Sequence, residues 1–292
     1  IEHFNSGVTD QRIDDVATVI SRLSMDVMGL TEVEKGALDR LKIKMAARGD
    51  QVDYVYLDAP RSQDLAVLYD EDTTLVELAT DIANRHATRL QARTPSDKTA
   101  FPRPPLFAKC AVMEGNHNPV EFVLIVVHLK AFGDAQSKAR RALASEILAE
   151  IIDDIQNTEN MPVVLGGDFN EVLDTNVLNA LSRSPDLFSL TADDANDGAI
   201  SYVGRRYRSL IDHIMVSKDV QPGDIMGDDA AIVRLDRSVQ GFTDRVSDHV
   251  PVVCRMVYRD TPIDIDNSSA VDEHRVDIPQ GASQVGLVFN RT

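Results

Sequence analysis

The chain has 292 residues, of which 43% are hydrophobic and 26% are charged, and its formal net charge at pH 7 is −17. This composition excludes a disordered, collagen-like or disulfide-framework protein, and no apolar run approaches the roughly 18 residues that a membrane-spanning helix needs. So acidic a chain is repelled by polyanions at long range, which argues against a nucleic-acid partner unless a local basic patch or a bound cation reverses the sign.

Helix and strand signals alternate through most of the chain. An amphipathic helix with apolar residues from Ile13 to Leu23 precedes a buried strand over 26–33. Many strands with few long helices predict an α/β fold in which two packed sheets are flanked by helices. Apolar runs predict further strands at 52–57, 64–69, 106–113, 122–129, 162–165, 210–216 and 250–257, and residues 137–155 have helical spacing.

Residues 84–103 are a basic, polar stretch within this acidic chain. The stretch predicts a loop that is either a solvated excursion or a contact for substrate phosphates. Two shorter basic runs, 138–141 and 205–208, extend the same two interpretations. Asp97 is the one acidic residue in 84–103. The cationic residues of this stretch are Arg85, Arg89, Arg93, Lys98 and Arg103.

The pattern changes after residue 258. Residues 260–277 are polar and rich in aspartate, and a short strand signal follows at 285–289. We expect a catalytic domain over 1–258 and a polar C-terminal tail over 259–292, which is either an ordered tail or the stub of a further β domain. Cys110 and Cys254 lie in apolar strands, which favours two buried free thiols over a disulfide.

Side chains that bind metals or transfer protons fall at the ends of the predicted strands. Because such ends meet at one edge of a sheet, we expect these groups to converge. Carboxylate and amide oxygens are the ligands that Mg²⁺ and Mn²⁺ prefer, and such a cation polarises a phosphoryl oxygen. The set therefore predicts metal-assisted phosphoester cleavage. It consists of Asn5, Glu32, His128, Asp168, Asn170, Asp212, Asp248 and His249.

Residue chemistry separates roles within this set. Asp168 is the candidate for orienting the attacking water, and a histidine suits proton transfer or phosphate stabilisation near neutral pH. An acidic partner such as Asp212 would fix the histidine's tautomer. His213, in the middle of an apolar strand, is predicted to be structural. The acidic segment 193–198 is either a structural Ca²⁺ site or a surface turn, since it lacks the terminal glutamate of a calcium loop.

Six segments resemble the endonuclease/exonuclease/phosphatase superfamily, the fold of pancreatic-type deoxyribonuclease. The resemblance covers residues 1–258 and implies a four-layer α/β/β/α sandwich of two mixed β-sheets. The segments, in matching order and spacing, are IEHFN (1–5), DVMGLTEVE (26–34), VVHLKA (126–131), GGDFNEV (166–172), SLIDHIMVS (209–217) and SDHVPV (247–251).

The resemblance also implies metal and phosphate ligands. Glu32 is similar to the principal metal-binding carboxylate, with Asn5 beside it, and Asp248 to a further ligand. Asp168 and Asn170 are similar to the pair that orients water and binds phosphate. The implied cofactor is Mg²⁺ or Mn²⁺.

The histidines have counterparts in the superfamily as well. His249 is similar to the essential histidine at the scissile phosphate, with Asp212 as its partner. His128 matches the second histidine of deoxyribonuclease-like members. In pancreatic-type enzymes an Arg-Glu-Pro segment supports that histidine through its glutamate, whereas this chain has Arg103 followed by two prolines. The implied partner carboxylate is therefore missing from the sequence.

Differences from particular subfamilies narrow the choice of subfamily, and with it the class of substrate. The segment TEVE differs from the QETK-type motif of abasic-site endonucleases, and the absence of tryptophan from the chain disfavours inositol polyphosphate 5-phosphatases. Deoxyribonuclease-like, sphingomyelinase-like and deadenylase-like members remain.

The preferred interpretation is a metal-dependent phosphodiester hydrolase that acts on nucleic acid, specifically a DNA endonuclease. Its candidate substrate-binding residues are Asn5, Asn170, Arg103, Arg206 and Arg208. The alternatives are a phosphoesterase of a lipid or small phosphorylated substrate, a non-catalytic binding module, and a hydrolase of another fold. We expect a monomer, and the acidic composition and the start at Ile1 favour a secreted or periplasmic location.

Overall fold

The structure is a computed structural model that describes residues 3–59, 63–113, 119–204, 207–218, 220, 230–258 and 283–291. Its strands are β1 (Val27–Val33), β2 (Val52–Leu57), β3 (Asp64–Asp70), β4 (Thr74–Leu78), β5 (Leu106–Val112), β6 (Val120–His128), β7 (Val163–Asp168), β8 (Leu187–Ser189), β9 (Asp212–Ser217), β10 (Ala231–Ile232), β11 (Val252–Tyr258) and β12 (Ser283–Arg291).

Helices connect these strands. They are α1 (Asp10–Leu23), α2 (Lys35–Ala46), α3 (Thr80–Arg85), α4 (Ala87–Leu90), α5 (Ala135–Glu159), α6 (Asn179–Ser182), α7 (Ala192–Asn196), α8 (Leu235–Ser238), α9 (Phe242–Arg245) and a 3₁₀ turn at Asn176–Leu178. Among the described residues, no helix combines the length and the apolar character that crossing a bilayer requires.

The strands form two six-stranded mixed sheets. The first sheet has the order β10-β11-β12-β1-β3-β2, and the second has the order β4-β5-β6-β7-β9-β8. Parallel pairs occur in both, between β1 and β12 in the first and between β6 and β7 in the second. The other strand pairs are antiparallel.

Three apolar layers hold the sheets and helices together. Alternate side chains of β1 point to opposite faces, so Met28 packs toward the α1 and α2 side while Val27 packs between the two sheets. On the outer face of the second sheet, Ile147 and Leu148 of α5 pack with Ile125. Helices, two sheets and helices therefore stack in order, and the predicted four-layer sandwich is confirmed.

The two longest helices begin at side-chain caps. At α1 the Thr9 hydroxyl accepts a hydrogen bond from the Arg12 amide, and at α5 the Asp134 carboxylate accepts one from the Ser137 amide. Asn160 in the left-handed region ends α5. These caps fix α5 directly after the loop that leaves β6.

The C-terminal strand differs from its prediction. β12 pairs in parallel with β1 and antiparallel with β11, so it lies inside the first sheet. Residues 283–291 are therefore neither a polar tail nor the stub of another domain, and the predicted boundary at 258 does not separate them from the sheet. The strand signal at 285–289 was correct, but its partner strands are distant in sequence. Residues 259–282 lie outside the described residues.

Two smaller predictions also have an outcome. The beginning of the basic stretch 84–103, predicted as a loop, is helical in α3 and α4. Cys110 and Cys254 are buried free thiols, as predicted. Burial raises the pKa of both thiols, to about 12 for Cys254.

Replacing Gly167 with alanine is expected to destabilise the fold by at least about 2 kcal/mol. Gly167 has φ +135°, and an added Cβ would lie 2.1 Å from the carbonyl oxygen of Val127 on the adjacent strand. Urea unfolding of the variant tests this, with Gly133→Ala as the control, because a Cβ there meets no atom within 4 Å. Equal losses in the two variants would contradict the expectation.

Candidate active site

Strand register places three of the predicted residues side by side. His128 at the end of β6 is paired with Asp168 at the end of β7, and Asp168 is paired with Asp212 at the start of β9. Residues in register on neighbouring strands point to the same face of a sheet. All three side chains are buried. The predicted convergence of strand ends is therefore present at this edge of the second sheet.

Glu32 approaches the same row from the first sheet. Its Oε1 lies 3.7 Å from His128 Nε2, and Asp168 Oδ2 lies 3.5 Å from that nitrogen. His128 is thus flanked by two carboxylates, although the sequence lacks the glutamate expected near Arg103. The Glu32 backbone is in the left-handed region, at φ +60°, within the irregularity between Thr31 and Val33. Such strain in a non-glycine residue is typical of functional sites.

Asp212 and His249 form a buried hydrogen-bonded pair. His249 Nδ1 lies 2.6 Å from Asp212 Oδ2, and neither side chain is more than 1% exposed. The Ser201 hydroxyl donates to the same carboxylate oxygen at 2.6 Å and accepts from the Asp212 amide. The Tyr202 ring lies 4.9 Å from the imidazole. These neighbours fix the orientation of both members of the pair.

Asp168 and Asn170 are coupled by hydrogen bonds. The Asn170 amide nitrogen donates to Asp168 Oδ1 at 2.8 Å, and its side-chain Nδ2 donates to Asp168 Oδ2 at 3.0 Å and to the Leu129 carbonyl at 3.2 Å. Asn170 has φ +52°, a conformation that asparagine tolerates better than most residues. The Asn170 side chain is thereby held against the backbone of Leu129, the residue that follows β6.

The donor set fits a hard divalent cation. Asp248 Oδ1 and Asp212 Oδ1 are buried and have no hydrogen-bond partner within the described part of the chain. Asp168, Asp212 and His249 each offer a ligand atom within 4.8 Å of the others. Buried carboxylate oxygens without donors are costly unless a cation neutralises them. Asp168, Asp212 and His249 are therefore the described residues whose spacing fits an ion, and ligation by Glu32 and Asp248 stays a prediction.

Asn5 follows a residue that is hydrogen-bonded to the end of β1. The backbone of Phe4 bonds to Glu32 and Glu34, which places the N-terminal segment against the end of β1. The Asn5 side-chain oxygen accepts a hydrogen bond from the Gly7 amide at 3.0 Å. This turn fixes the Asn5 side chain, and its predicted roles in binding metal and substrate stay predictions.

Arg103 is a buried residue whose hydrogen bonds go to the protein. It donates to Gln63, and to the carbonyls of His128 at 3.4 Å and Leu129 at 3.3 Å. Gln63 in turn donates to Glu32 Oε1 at 3.1 Å. Arg103 therefore supports Glu32 and His128 through a relay that the sequence did not reveal. Its predicted contact with substrate stays a prediction.

Sequence analysis also did not reveal a second residue that supports the site. The Arg141 guanidinium, 2% exposed, bonds to the Glu171 carboxylate at 2.7 Å and to the carbonyls of Lys130 and Phe132. Glu171 follows Asn170, so Arg141 joins the loop after β6 to the loop after β7. In the sequence, Arg141 belonged to a basic run, and nothing local marked it as buried.

His213 is structural, as predicted. Its Nδ1 pairs with the Thr191 hydroxyl and its Nε2 with the Glu171 carbonyl, both at 2.9 Å. Burial lowers the pKa of His213 to about 4. The ring therefore stays neutral near pH 7 and fixes the loop that carries Glu171.

This shift predicts an acid-sensitive stability. Between pH 6.5 and pH 4 the unfolded chain binds a proton at His213 that the folded chain does not, so stability is lost as pH falls. The contribution is at most about 3 kcal/mol. Urea unfolding from pH 7 to pH 5 should show this slope, and His213→Gln should have a shallower one. A parallel slope in the variant would contradict the assignment.

The basic stretch is largely neutralised by acidic partners. Arg85 pairs with Glu159 and Asp154, Arg89 pairs with Glu150, and Arg93 pairs with Asp97. These contacts favour the interpretation as a structural surface over a track for phosphates. Arg208 is exposed, next to Tyr207, whose ring packs 6.0 Å from Tyr202. Arg206 lies outside the described residues.

The acidic segment 193–198 does not form a calcium loop. Most of it lies in helix α7, with Asp193 and Asp194 in its first turn. Of the groups of three or more acidic, His or Cys side chains in the described residues, the one with metal-binding spacing is Asp168, Asp212 and His249.

Solved structures share this fold. The chain is similar to the mannosyl-6-phosphatase of Bacteroides thetaiotaomicron (17% identity over 83% of this chain and 89% of that chain, TM-score 0.56). It is similar to the human Nocturnin catalytic domain with bound sulfate (15% identity over 85% of this chain and 86% of that chain, TM-score 0.56). It is also similar to D. rerio TDP2 complexed with a single-strand DNA product (14% identity over 85% of this chain and 94% of that chain, TM-score 0.55).

Sequence comparison gives the family. No curated protein sequence matches the chain. The profile of the Endonuclease/Exonuclease/phosphatase family matches residues 3–249, which include the predicted site residues from Asn5 to His249. The chain belongs to the endonuclease/exonuclease/phosphatase family.

Proposed function

We propose that this protein is a Mg²⁺- or Mn²⁺-dependent phosphodiester hydrolase that cleaves nucleic acid, with DNA as its first candidate substrate. The observation that carries the proposal is the buried Asp212–His249 pair beside Asp168, with Glu32 opposite across His128. Groups suited to general acid–base catalysis and to metal binding thus lie close together, which supports hydrolysis of a phosphodiester.

Each residue has a role in this proposal. A bound Mg²⁺ or Mn²⁺ would polarise the phosphoryl oxygen and offset the charge that develops in the transition state. Asp168, oriented by Asn170, positions the attacking water and accepts its proton. His249, held by Asp212, donates a proton through Nε2 to the leaving oxygen as the bond between phosphorus and that oxygen breaks. His128 and Asn170 bind phosphate oxygens of the substrate.

Two observations support nucleic acid as the substrate. The exposed Tyr207 ring lies 6.0 Å from the ring of Tyr202, which packs on His249, and the exposed Arg208 follows Tyr207 in the sequence. The similar TDP2 structure holds a single-strand DNA product. A sugar phosphate is the second candidate, because the basic stretch is paired with acids and one similar structure is a mannosyl-6-phosphatase.

A matched substrate panel tests the proposal. Supercoiled plasmid, a single-stranded oligonucleotide and mannose 6-phosphate are incubated with the protein in Mg²⁺, in Mn²⁺ and in chelator. We expect cleavage of a nucleic acid that chelator abolishes and that re-added metal restores. Release of phosphate from the sugar phosphate without cleavage of either polymer would replace the nuclease assignment with the phosphatase one.

A further inference from the structure

Phe132 has an unusual combination of exposure and backbone conformation. Its side chain is 74% exposed, and its φ is +83°. A bulky residue with positive φ is a genuine outlier, because its Cβ crowds the backbone. Burial of the ring does not offset that cost, since most of the ring is in solvent. The arrangement therefore requires an explanation outside the core.

The strained loop is held from beneath by buried groups. Arg141 donates to the Phe132 carbonyl at 2.8 Å and to the Lys130 carbonyl at 2.5 Å, while its guanidinium is paired with Glu171. Lys130–Phe132 follows His128 at the end of β6, and Glu171 follows Asn170. The exposed ring is thus fixed at the edge of the candidate active site.

Lys130 concentrates positive charge beside this ring. Its amino nitrogen lies 4.2 Å from the centre of the Phe132 ring. Burial lowers the pKa of Lys130, as do the charges of Arg140, Arg103 and Arg141, while the charge of Asp134 acts in the opposite direction. In a chain with a net charge of −17, this is a local cationic site of the kind that phosphate binding requires.

We propose that Lys130 and Phe132 form a nucleotide subsite, in which the Phe132 ring stacks on an unpaired base and Lys130 contacts the adjoining phosphate. The inference rests on the proposed function and narrows its substrate to single-stranded nucleic acid, because bases inside a duplex present no face to a side chain. Lys130 covers one face of the ring, and a base stacks on the other.

A tryptophan reporter tests base stacking without any turnover. The chain contains no tryptophan, so Phe132→Trp introduces a single indole that retains the capacity to stack. The variant is titrated in chelator with a single-stranded oligonucleotide, with an abasic strand of the same length and with a duplex. We expect quenching by the oligonucleotide and not by the abasic strand or the duplex.

Affinities give the size of the effect. Phe132→Ala is expected to weaken binding of the single-stranded oligonucleotide by about 5- to 150-fold and to leave binding of the abasic strand unchanged. The matched control is Phe188→Ala. Phe188 is also exposed, but it pairs with Val216, toward the far end of β9 from Asp212, so its loss should change neither affinity.

The outcomes separate this inference from the proposed function. Equal quenching by the abasic strand, or unchanged affinity in Phe132→Ala, would overturn the subsite even if nucleic acid is cleaved. Base-dependent quenching would support the subsite even if another phosphoester proves to be the substrate.

Discussion

Replacing His249 with alanine is expected to lower kcat for phosphodiester hydrolysis by about 10²- to 10⁴-fold, with a smaller change in KM. The imidazole is buried and its Nδ1 is 2.6 Å from Asp212. The variant therefore removes the proposed proton-transferring group without changing the surface of the protein. Asp212→Asn should cause a loss of the same order, because the amide no longer favours the orientation and charge that the carboxylate imposes.

His86 provides a matched control for that deletion. It is also a buried histidine that pairs with an aspartate, Asp154 at 3.1 Å, but it lies between α3 and α4, outside the site. His86→Ala should cost stability and leave kcat within about threefold, whereas His249→Ala should fold and fail to turn over. Comparable kcat losses in the two variants would show that the His249 effect is structural.

Replacing Arg141 with methionine is expected to destabilise the protein by about 3–5 kcal/mol. The variant leaves the Glu171 carboxylate buried without its cation, and it removes the donor that binds the carbonyls of Lys130 and Phe132. Because both loops carry site residues, we also expect lower activity at temperatures where the variant remains folded. Denaturant unfolding gives the first quantity, and initial rates below the transition give the second.

Glu171 separates the two parts of this effect. Glu171→Gln removes the charge but keeps an oxygen that can accept from Arg141, and Arg141 can still bind the two carbonyls. Glu171→Gln should lose less stability than Arg141→Met. The variant that carries both substitutions should be destabilised by less than the sum of the two single losses. Strict additivity would show that the ion pair does not couple the two loops.

The sequence predicted the parts of the site that sit in or next to strands. Glu32, His128 and Asp168 lie at or just after the ends of apolar runs, and strand ends meet at a sheet edge whatever the details of packing. Asp212 was predicted inside the run 210–216, whereas β9 begins at this residue. The same reasoning predicted β1, β6, β7 and β9, whose apolar runs are continuous because both faces are covered. These signals are local, and the structure confirms them.

Features that depend on distant contacts were not predictable. Gln63 and Ser201 look like ordinary loop residues, and only tertiary structure places them on Glu32 and Asp212. Arg141 looks solvent-exposed in a basic run but is buried on Glu171. The place of β12 between β1 and β11 depends on pairing across most of the chain, which no periodicity encodes.

Charge was the most misleading property of the sequence. The basic stretch 84–103 suggested a track for phosphates, yet Arg85 and Arg89 are paired with acids of α5. Lys130, which follows His128 by two residues, lies outside that stretch and within the electrostatic influence of Arg103 and Arg140. The net charge of a sequence segment cannot distinguish paired charges from unpaired ones, because the partners come from other helices and strands.

Single-turnover hydrolysis of a single-stranded oligonucleotide in Mg²⁺ by the unaltered protein, Glu32→Gln and His249→Ala tests the central claim most directly. We predict cleavage by the unaltered protein, none in chelator, and losses of at least about 10²-fold in both variants, with the Glu32→Gln loss reduced at higher metal concentration. Glu32 would then act through the cation and His249 through proton transfer. Metal-independent cleavage, or full activity in Glu32→Gln, would contradict a metal-dependent site at this sheet edge.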